Sequence, residues 1–395
     1  MAFLDIHILQ NVPPSNINRD QDGSPKTARF GGVKRARVSS QAWKRATRTA
    51  FEADGALAGE DAVRTRHLPQ MIADQLAERV PDLEGKADAI GMAAATAMFK
   101  VAAKKPKKKG EDGKPVEERP VTEYLLFLGR TQINKVVDTL AAHSQSLADA
   151  ETDKDLVDLL AGLGLKELGV TAHPGSVALF GRMVANSPDT GVDAGCQVAH
   201  AISTHEAITE FDYFTAVDDE QKDENKGAGM IGSLEFNSAT LYRYATIDLR
   251  TLHSNHDHHD ESTLKSAIGF IRAFAASMPT GKANTFAHHT RPEVIVLSLR
   301  KDRPVSHIDA FERPVPRTSD GYLAASATAL FTHITDADEQ WGDTPAWTAA
   351  IYPSVLAHQP TDGSDSKLPQ RVTWKTALGQ AEEALAKALP EAQAK

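Results

Sequence analysis

The chain has 395 residues, 41% of them hydrophobic and 25% charged, with a formal net charge of −9. That is the composition of a water-soluble globular protein, at a length that calls for one large elaborated domain or two. A single cysteine, Cys196, excludes an intrachain disulfide framework and a multi-cysteine metal site, and the N-terminal MAFLDIHILQ has no basic stretch before its short apolar run, so neither a signal peptide nor a membrane span is expected and a cytoplasmic location is.

In chain order, Phe3 to Leu9 reads as a buried strand closed by the turn signal Asn11-Val12-Pro13-Pro14. Ser15 to Gly32 is polar, punctuated by Gly and Pro, and basic, which suits an ordered surface loop. A helix follows, capped by Ser39 or Ser40 and free of breakers before Gly55. At 100° per residue, Trp43, Ala46 and Ala50 fall on one side of it and Gln41, Lys44, Arg45 and Arg48 on the other. Helical periodicity resumes between Asp61 and Val101, for example at Met71, Ile72, Leu76 and Val80, and again from Thr122 to Leu165. Between them, residues 104–120 form a Lys-rich low-complexity stretch, either a solvated loop or a flexible basic arm. Residues 54–172 together read as a helical insertion.

The middle of the chain is β-rich. Val177–Val184, Gln197–Thr204 and Thr240–Asp248 are predicted strands. FDYFTAVDDEQKDENKGAGMIG, residues 211–232, begins aromatic and turns polar and Gly-rich, the profile of a projecting hairpin with a packed root. The clearest helix starts near Ser262 and carries Leu264, Ala267, Ile268, Ile271, Phe274, Ala275 and Met278 on one face. Val294–Leu299 is a strand; beyond Arg303 the pattern weakens into loops and a terminal helix from about Val372. No internal repeat is present. With insertions removed, the order is β-α-β-β-α-β, an α+β ferredoxin-like fold of the kind that RNA-recognition modules use.

The acidic total hides an uneven distribution. From Asn18 to Arg48 nine basic residues (Arg19, Lys26, Arg29, Lys34, Arg35, Arg37, Lys44, Arg45 and Arg48) meet only Asp20 and Asp22, a local +7 that leaves −16 for the rest. Gly31-Gly32 would let a phosphate backbone approach closely, and Ser39-Ser40-Gln41 opens a helix whose free N–H groups favour anions. A merely solvated basic face would suffer self-repulsion without structural gain. Met183, in Gly181-Arg182-Met183, and the aromatics of Tyr213-Phe214-Thr215 read as core on pattern alone, although exposed aromatics there could stack on bases. His253, His256, Asp257, His258, His259 and Asp260 raise a metal hypothesis, but in loop composition before a helix cap they read as a solvated loop. Asp218, Asp219, Glu220, Asp223 and Glu224 could form a carboxylate set, or a polar hairpin tip. There is no Walker A, GxSxG or HExxH motif, and Cys196 reads as core, so no enzyme, metal or cofactor is expected.

Six blocks carry a resemblance: LDIHILQ, NINRD, FGGVKRARVSSQAWKRATR, GSVALFGRMVAN, VAHAISTHEAITEFDYFTAVDD and EFNSATLYRYATIDL. Spread over residues 4–249, they resemble the CasC-type backbone subunit of the type I-E CRISPR surveillance complex, Cascade, of the RAMP superfamily. That resemblance implies a right-hand architecture: a ferredoxin-like palm in residues 1–53 and 173–395, helical fingers in 54–172, and a thumb hairpin at about 211–232. It implies a non-enzymatic subunit that binds CRISPR RNA without sequence preference and polymerises head-to-tail along the spacer. The guide bases would then pair with the target DNA strand, and other Cascade subunits would be partners. By the same resemblance, RNA contacts fall at Lys26, Ser40, Gln41, Lys44, Arg45 and Arg48, and the residues that wedge between bases at Met183, Tyr213, Phe214 and Thr215; the residues themselves add Asn18, Arg19, Gly31, Gly32, Lys34 and Arg35 of the basic segment and Arg182 beside Met183 as candidate RNA contacts. Related backbone subunits cut target RNA with a loop Asp, for which Asp20, Asp22 and Asp218 are the candidates here.

Overall fold

Strand β1 (Phe3–Ser15) sits at the middle of the molecule's main sheet because every residue from Leu4 to Gln10 is buried, on both faces. Each polar residue of that run makes a hydrogen bond, although His7 Nε2 is left without one. The Asp5 carboxylate accepts from Tyr244 Oη and Val305 N, both at 2.9 Å, His7 Nδ1 meets Tyr242 Oη at 2.9 Å, and Gln10 Nε2 donates to Thr290 O at 2.9 Å. The structure, a computed structural model, describes residues 2–54, 61–104, 119–216, 230–358 and 369–393. These divide into two units. One comprises Met1–Phe51, Cys196–Leu249 and Ala267–Lys395, and the other Glu52–Gly195 and Arg250–Ser266.

In the first unit, β1 is followed by β2 (Thr27–Phe30), β3 (Val33–Val38), helix α1 (Ser40–Ala53), β4 (Cys196–Val198), β5 (Ala201–Ser203), β6 (Glu210–Ala216), β7 (Met230–Asp248), helix α2 (Asp260–Ala276, which belongs to this unit from Ala267 on), β8 (Val294–Arg300), helix α3 (Leu323–Trp341), β9 (Trp347–Ile351) and helix α4 (Trp374–Gln393). The sheet has nine strands in the order β9-β8-β1-β7-β5-β3-β2, with β4 and β6 also paired to β7. Its ladders are antiparallel. The inner four, β8-β1-β7-β5, are the fourth, first, third and second strands of a β-α-β-β-α-β series, so the fold is the α+β, ferredoxin-like arrangement.

Register decides which helix each sheet face receives. Arg243 lies opposite Ile8, and its guanidinium stacks 3.7 Å over Trp43 of α1 and 4.5 Å over Phe274 of α2. It donates to Gln10 Oε1 and to the Phe274 carbonyl, and burial pulls its pKa down to about 9. One residue along, Leu9 and Tyr242 point to the other face, into a core with Phe311, Leu330, Phe331 and Tyr352 under α3. Helix α1 begins where Ser39 Oγ accepts from Ala42 N at 3.3 Å and buries Trp43, Thr47 and Phe51. Its inward stripe is therefore Trp43, Thr47 and Phe51, not the expected Trp43, Ala46 and Ala50: the buried face is centred on Thr47, with the two large rings of Trp43 and Phe51 to either side of it.

The second unit packs helices Leu68–Arg79, Ala87–Phe99, Arg130–Ala142 and Asp153–Ala161 around Ile72, Leu76, Ile90, Phe99, Val136 and Leu140. It runs on to Gly195 and takes in residues 250–266, beyond the 54–172 read as the insertion.

Several expectations are corrected. Val177–Val184 is not a strand: Gly175–Phe180 is helical, a short apolar run whose period cannot separate the two. The basic loop at 15–32 contains β2, and the region after Arg303 contains α3 and β9. The histidine stretch is a solvated turn only in part: Asp257, His258, His259 and Asp260 are exposed, whereas His253, in the last turn of the helix Leu249–Asn255, and His256 are buried.

Candidate nucleic-acid interface

The basic segment folds as a hairpin, β2 and β3, joined by Gly31 and Gly32, both with positive φ (58° and 80°). Strand alternation then sorts its cations. Arg29 and Lys34, paired across the hairpin, are exposed, whereas Arg35 is fully buried. Arg35 Nε donates to Phe30 O at 3.1 Å, Nη1 to Ser203 O at 2.9 Å, and Nη2 to Phe311 O at 2.7 Å and Glu312 O at 3.3 Å. Its fork is spent on four carbonyls of its own chain, so Arg35 is removed from the RNA-contact set. Gly31 is corrected in the same way. A Cβ there would lie 1.6 Å from Glu312 O, so the close approach that requires glycine is to the protein's own backbone. Gly32 is exposed, and a Cβ on it would meet nothing within 4 Å.

The preceding loop is tied to the start of α1. Asn18 Oδ1 accepts from Ser39 N at 2.8 Å, and the Asn18 carbonyl accepts from Lys26 N at 2.9 Å. Asn18 is thus a positioning residue whose Oδ1 and carbonyl are engaged by its own chain, while Arg19 is exposed and Lys26 half-buried. Asp20 closes its own loop, its Oδ1 accepting from Asp22 N and Ser24 N at 3.0 Å each. Ser40 N donates to His200 Nδ1 at 2.9 Å. His200 went unread in the sequence, and no local signal marks it. Partial burial, then the charges of Arg37 and Lys26, hold it below the usual histidine range, which keeps Nδ1 free to accept. Along α1, Gln41 and Arg45 are exposed and Lys44 and Arg48 half-buried. Arg29, Lys34, Lys26, Arg37, Lys44 and Arg45 therefore leave a cationic surface at the α1 N-terminus and the adjoining hairpin. Beneath it, burial pushes the Cys196 thiol up to about 12, an inert core group.

Strands β6 and β7 form the second hairpin. Phe211 faces Glu235, Tyr213 faces Ser233, and Phe214 faces Gly232. Phe211 and Tyr213 share one face and are 70% and 65% exposed, and Thr215 beside them is exposed too. Phe214, on the other face, rests its ring on Gly232, where a Cβ would come within 2.4 Å of it. Ile208, also exposed, was not singled out in the sequence. The carboxylates from Asp218 to Glu224 and the Lys-rich residues 105–118 lie outside the described residues.

Arg182 and Met183 belong to the second unit. Arg182 is buried and corrected like Arg35: its guanidinium donates to Phe127 O at 3.2 Å, Gly169 O at 3.0 Å and Thr190 O at 2.8 Å, and burial lowers its pKa to about 10. Met183, next in sequence, is 88% exposed, which overturns the core reading of its pattern. An exposed methionine held beside an anchored arginine is a rigidly based apolar knob. Among the described residues, no cluster of three or more His, Cys, Asp or Glu side chains suits a metal ion, and no helix is long and apolar enough to cross a membrane.

Comparison with known proteins gives a full-length match. Two solved chains are similar to this one. The first, described as "CRISPR RNA-guided surveillance complex, pre-nicking", is 33% identical with a TM-score of 0.81, covering 97% of this chain and 100% of its own. The second, described as "CRISPR RNA-guided surveillance complex", is 30% identical with a TM-score of 0.71, covering 97% and 99%. No curated protein matches. The sequence matches the CT1975-like protein family over residues 4–374, nearly its whole length, and the chain belongs to that family.

Proposed function

We propose that this chain is the CRISPR RNA-binding backbone subunit of a type I-E Cascade surveillance complex, acting as a scaffold and not as an enzyme. The observation that carries this reading is its end-to-end likeness, at 33% identity, to a chain of a CRISPR RNA-guided surveillance complex. The cationic surface of the first unit supports it. A guide backbone needs several cations along one track and no base-reading side chains, because sequence is read by pairing. Arg29, Lys34, Lys44 and Arg45, with Gln41 and the open backbone at Gly32, would hold phosphates. Met183 and Tyr213, exposed apolar groups with no core role, would each press on a base and interrupt stacking, as aromatic and thioether groups do at single-stranded sites. Successive copies would lie head-to-tail along the spacer and leave the intervening bases free for target DNA.

The turn-closing role of Asp20 Oδ1, which accepts from Asp22 N and Ser24 N, supports the scaffold reading over the nuclease alternative. The test is charge reversal at Lys44 and Arg45 in protein co-expressed with a guide. The reading expects RNA to be lost from the purified protein while the melting temperature stays within a few degrees. Full-length guide at parental yield would overturn it.

A further inference from the structure

The histidine-rich turn between the helix Leu249–Asn255 and α2 plays no part in the reading above, and its geometry is specific. His253 is 2% exposed, and its Nε2 lies 2.8 Å from Asp260 Oδ1. A carboxylate only accepts, so Nε2 carries the hydrogen and Nδ1 of the neutral ring presents its lone pair. His258 Nδ1 lies 3.2 Å from that atom. The backbone holds the pair together: His258 N donates to His253 O at 2.9 Å, and Asp257 and His258 both take left-handed conformations, with φ of 51° and 63°. Two successive non-glycine residues in that region are unfavourable and persist only where the surroundings fix them. Asp257 Oδ2 helps to fix them by accepting from Ala172 N at 2.9 Å. The neighbouring rings are engaged elsewhere, His256 Nε2 with Ser266 Oγ at 2.8 Å and His259 Nδ1 with Ser262 Oγ at 3.0 Å.

We propose that His253 and His258 form a two-histidine clasp for a divalent transition-metal cation of the zinc, cobalt, nickel or copper class, bound through the two Nδ1 atoms. At metal–nitrogen distances of roughly 2.0–2.1 Å, a 3.2 Å bite subtends about 100–106° at the metal, close to the tetrahedral angle. Imidazole nitrogen selects this class over magnesium or calcium, which take oxygen. Asp260 plays the outer-shell part, orienting the His253 ring. Among the described residues no third donor joins the pair, so water completes the coordination on the exposed side of His258 and the ion exchanges readily. Without metal, His258 Nδ1–H donates to His253 Nδ1. The cation takes the place of that hydrogen, which moves through solvent to His258 Nε2. Neutral His258 therefore releases no net proton, and the imidazolium form releases one. This site does not depend on the proposed function.

The test is calorimetric titration of chelator-treated, tag-free full-length protein with ZnCl2 at neutral pH, paralleled by the visible absorption of Co2+. One site per chain is expected, weakened at least tenfold in His258→Ala, with thermal denaturation of the metal-free variant checking that it is folded. Asp260→Asn should weaken it about tenfold, as loss of an outer-shell carboxylate does. Unchanged one-site binding in His258→Ala, or no binding up to millimolar zinc in the parent, would overturn the proposal.

Discussion

Arg35 separates fold from RNA binding within a segment whose cations look alike in sequence. Its side chain is wholly buried and donates to four backbone carbonyls, two of them at 2.9 Å or less. A hydrogen bond to a charged group contributes roughly 1.5–3 kcal/mol, and carbonyls left buried without a partner add their desolvation cost. The four bonds share one guanidinium and are not independent, so Arg35→Ala should cost about 3–5 kcal/mol, the range for a broken buried charge network. At roughly 2–4 °C per kcal/mol for a unit of this size, the melting temperature should fall by about 10 °C. Arg35→Lys keeps the charge but not the planar fork, and should recover only part of the loss. The paired control is Arg45→Ala, an exposed helical position expected to change stability by ~0.5 kcal/mol or less while weakening RNA binding. Thermal denaturation of RNA-free protein reads the first effect, and filter binding of a guide-length RNA the second. Arg35→Ala melting within 2 or 3 °C of the parent would refute the buried-carbonyl account.

Other expectations concern the glycines, the wedges and pH. Gly31→Ala meets Glu312 O and a φ of 58° together, and should destabilise the protein by about 2 kcal/mol or more in urea titration, whereas Gly32→Ala meets only a strained φ and should cost about 1 kcal/mol. Met183→Ala and Tyr213→Ala should leave melting unchanged and reduce the fluorescence of 2-aminopurine placed at regular positions in the bound guide, because bases restack when the wedge is removed. Buried His7 and His307 are held neutral by desolvation, His7 far below its usual range and His307 at about 3, and burial likewise lowers His173 and His256 to about 4. The unfolded chain takes up these protons near pH 6.5 and the folded one does not. Stability should therefore be level above pH 6.5 and fall as pH drops towards 4, by up to about 1.4 kcal/mol per pH unit for each histidine. Asp5, raised mainly by burial, opposes this only near its own range. Urea midpoints at pH 7.5, 5.5 and 4.5 check the slope, and a midpoint that does not fall between 7.5 and 4.5 would contradict it.

The parts of the fold that could be read in the sequence are those where one period dominates. Leu4 to Leu9, the Trp43 helix and the Ile268–Phe274 helix each bury a run long enough to declare itself, and they set the β-α-β-β-α-β order. Helix α3 carried the same signal, with Ser326, Ala327, Leu330, Phe331 and Ile334 at steps of one, three and four, but Ala and Thr between them diluted it. The candidate surface was legible as a charge excess, not as a list. Composition places Arg35 beside Lys34, and only the alternation of a strand puts one inside and the other outside. Arg182 and Met183 show the same inversion, a buried charge next to an exposed apolar group, which the proposed contact with a guide base would account for. His200 reaches Ser40 across 160 positions of sequence, and no local pattern could reveal that.

The most direct test of the scaffold reading is a denaturing gel of nucleic acid extracted from the protein purified after co-expression with a guide. The account expects a single RNA of uniform length, present with the parent and with Asp20→Ala, and absent when Lys44 and Arg45 are reversed in charge. RNA of heterogeneous length held equally by the parent and the charge-reversed protein, or no RNA with either, would contradict it.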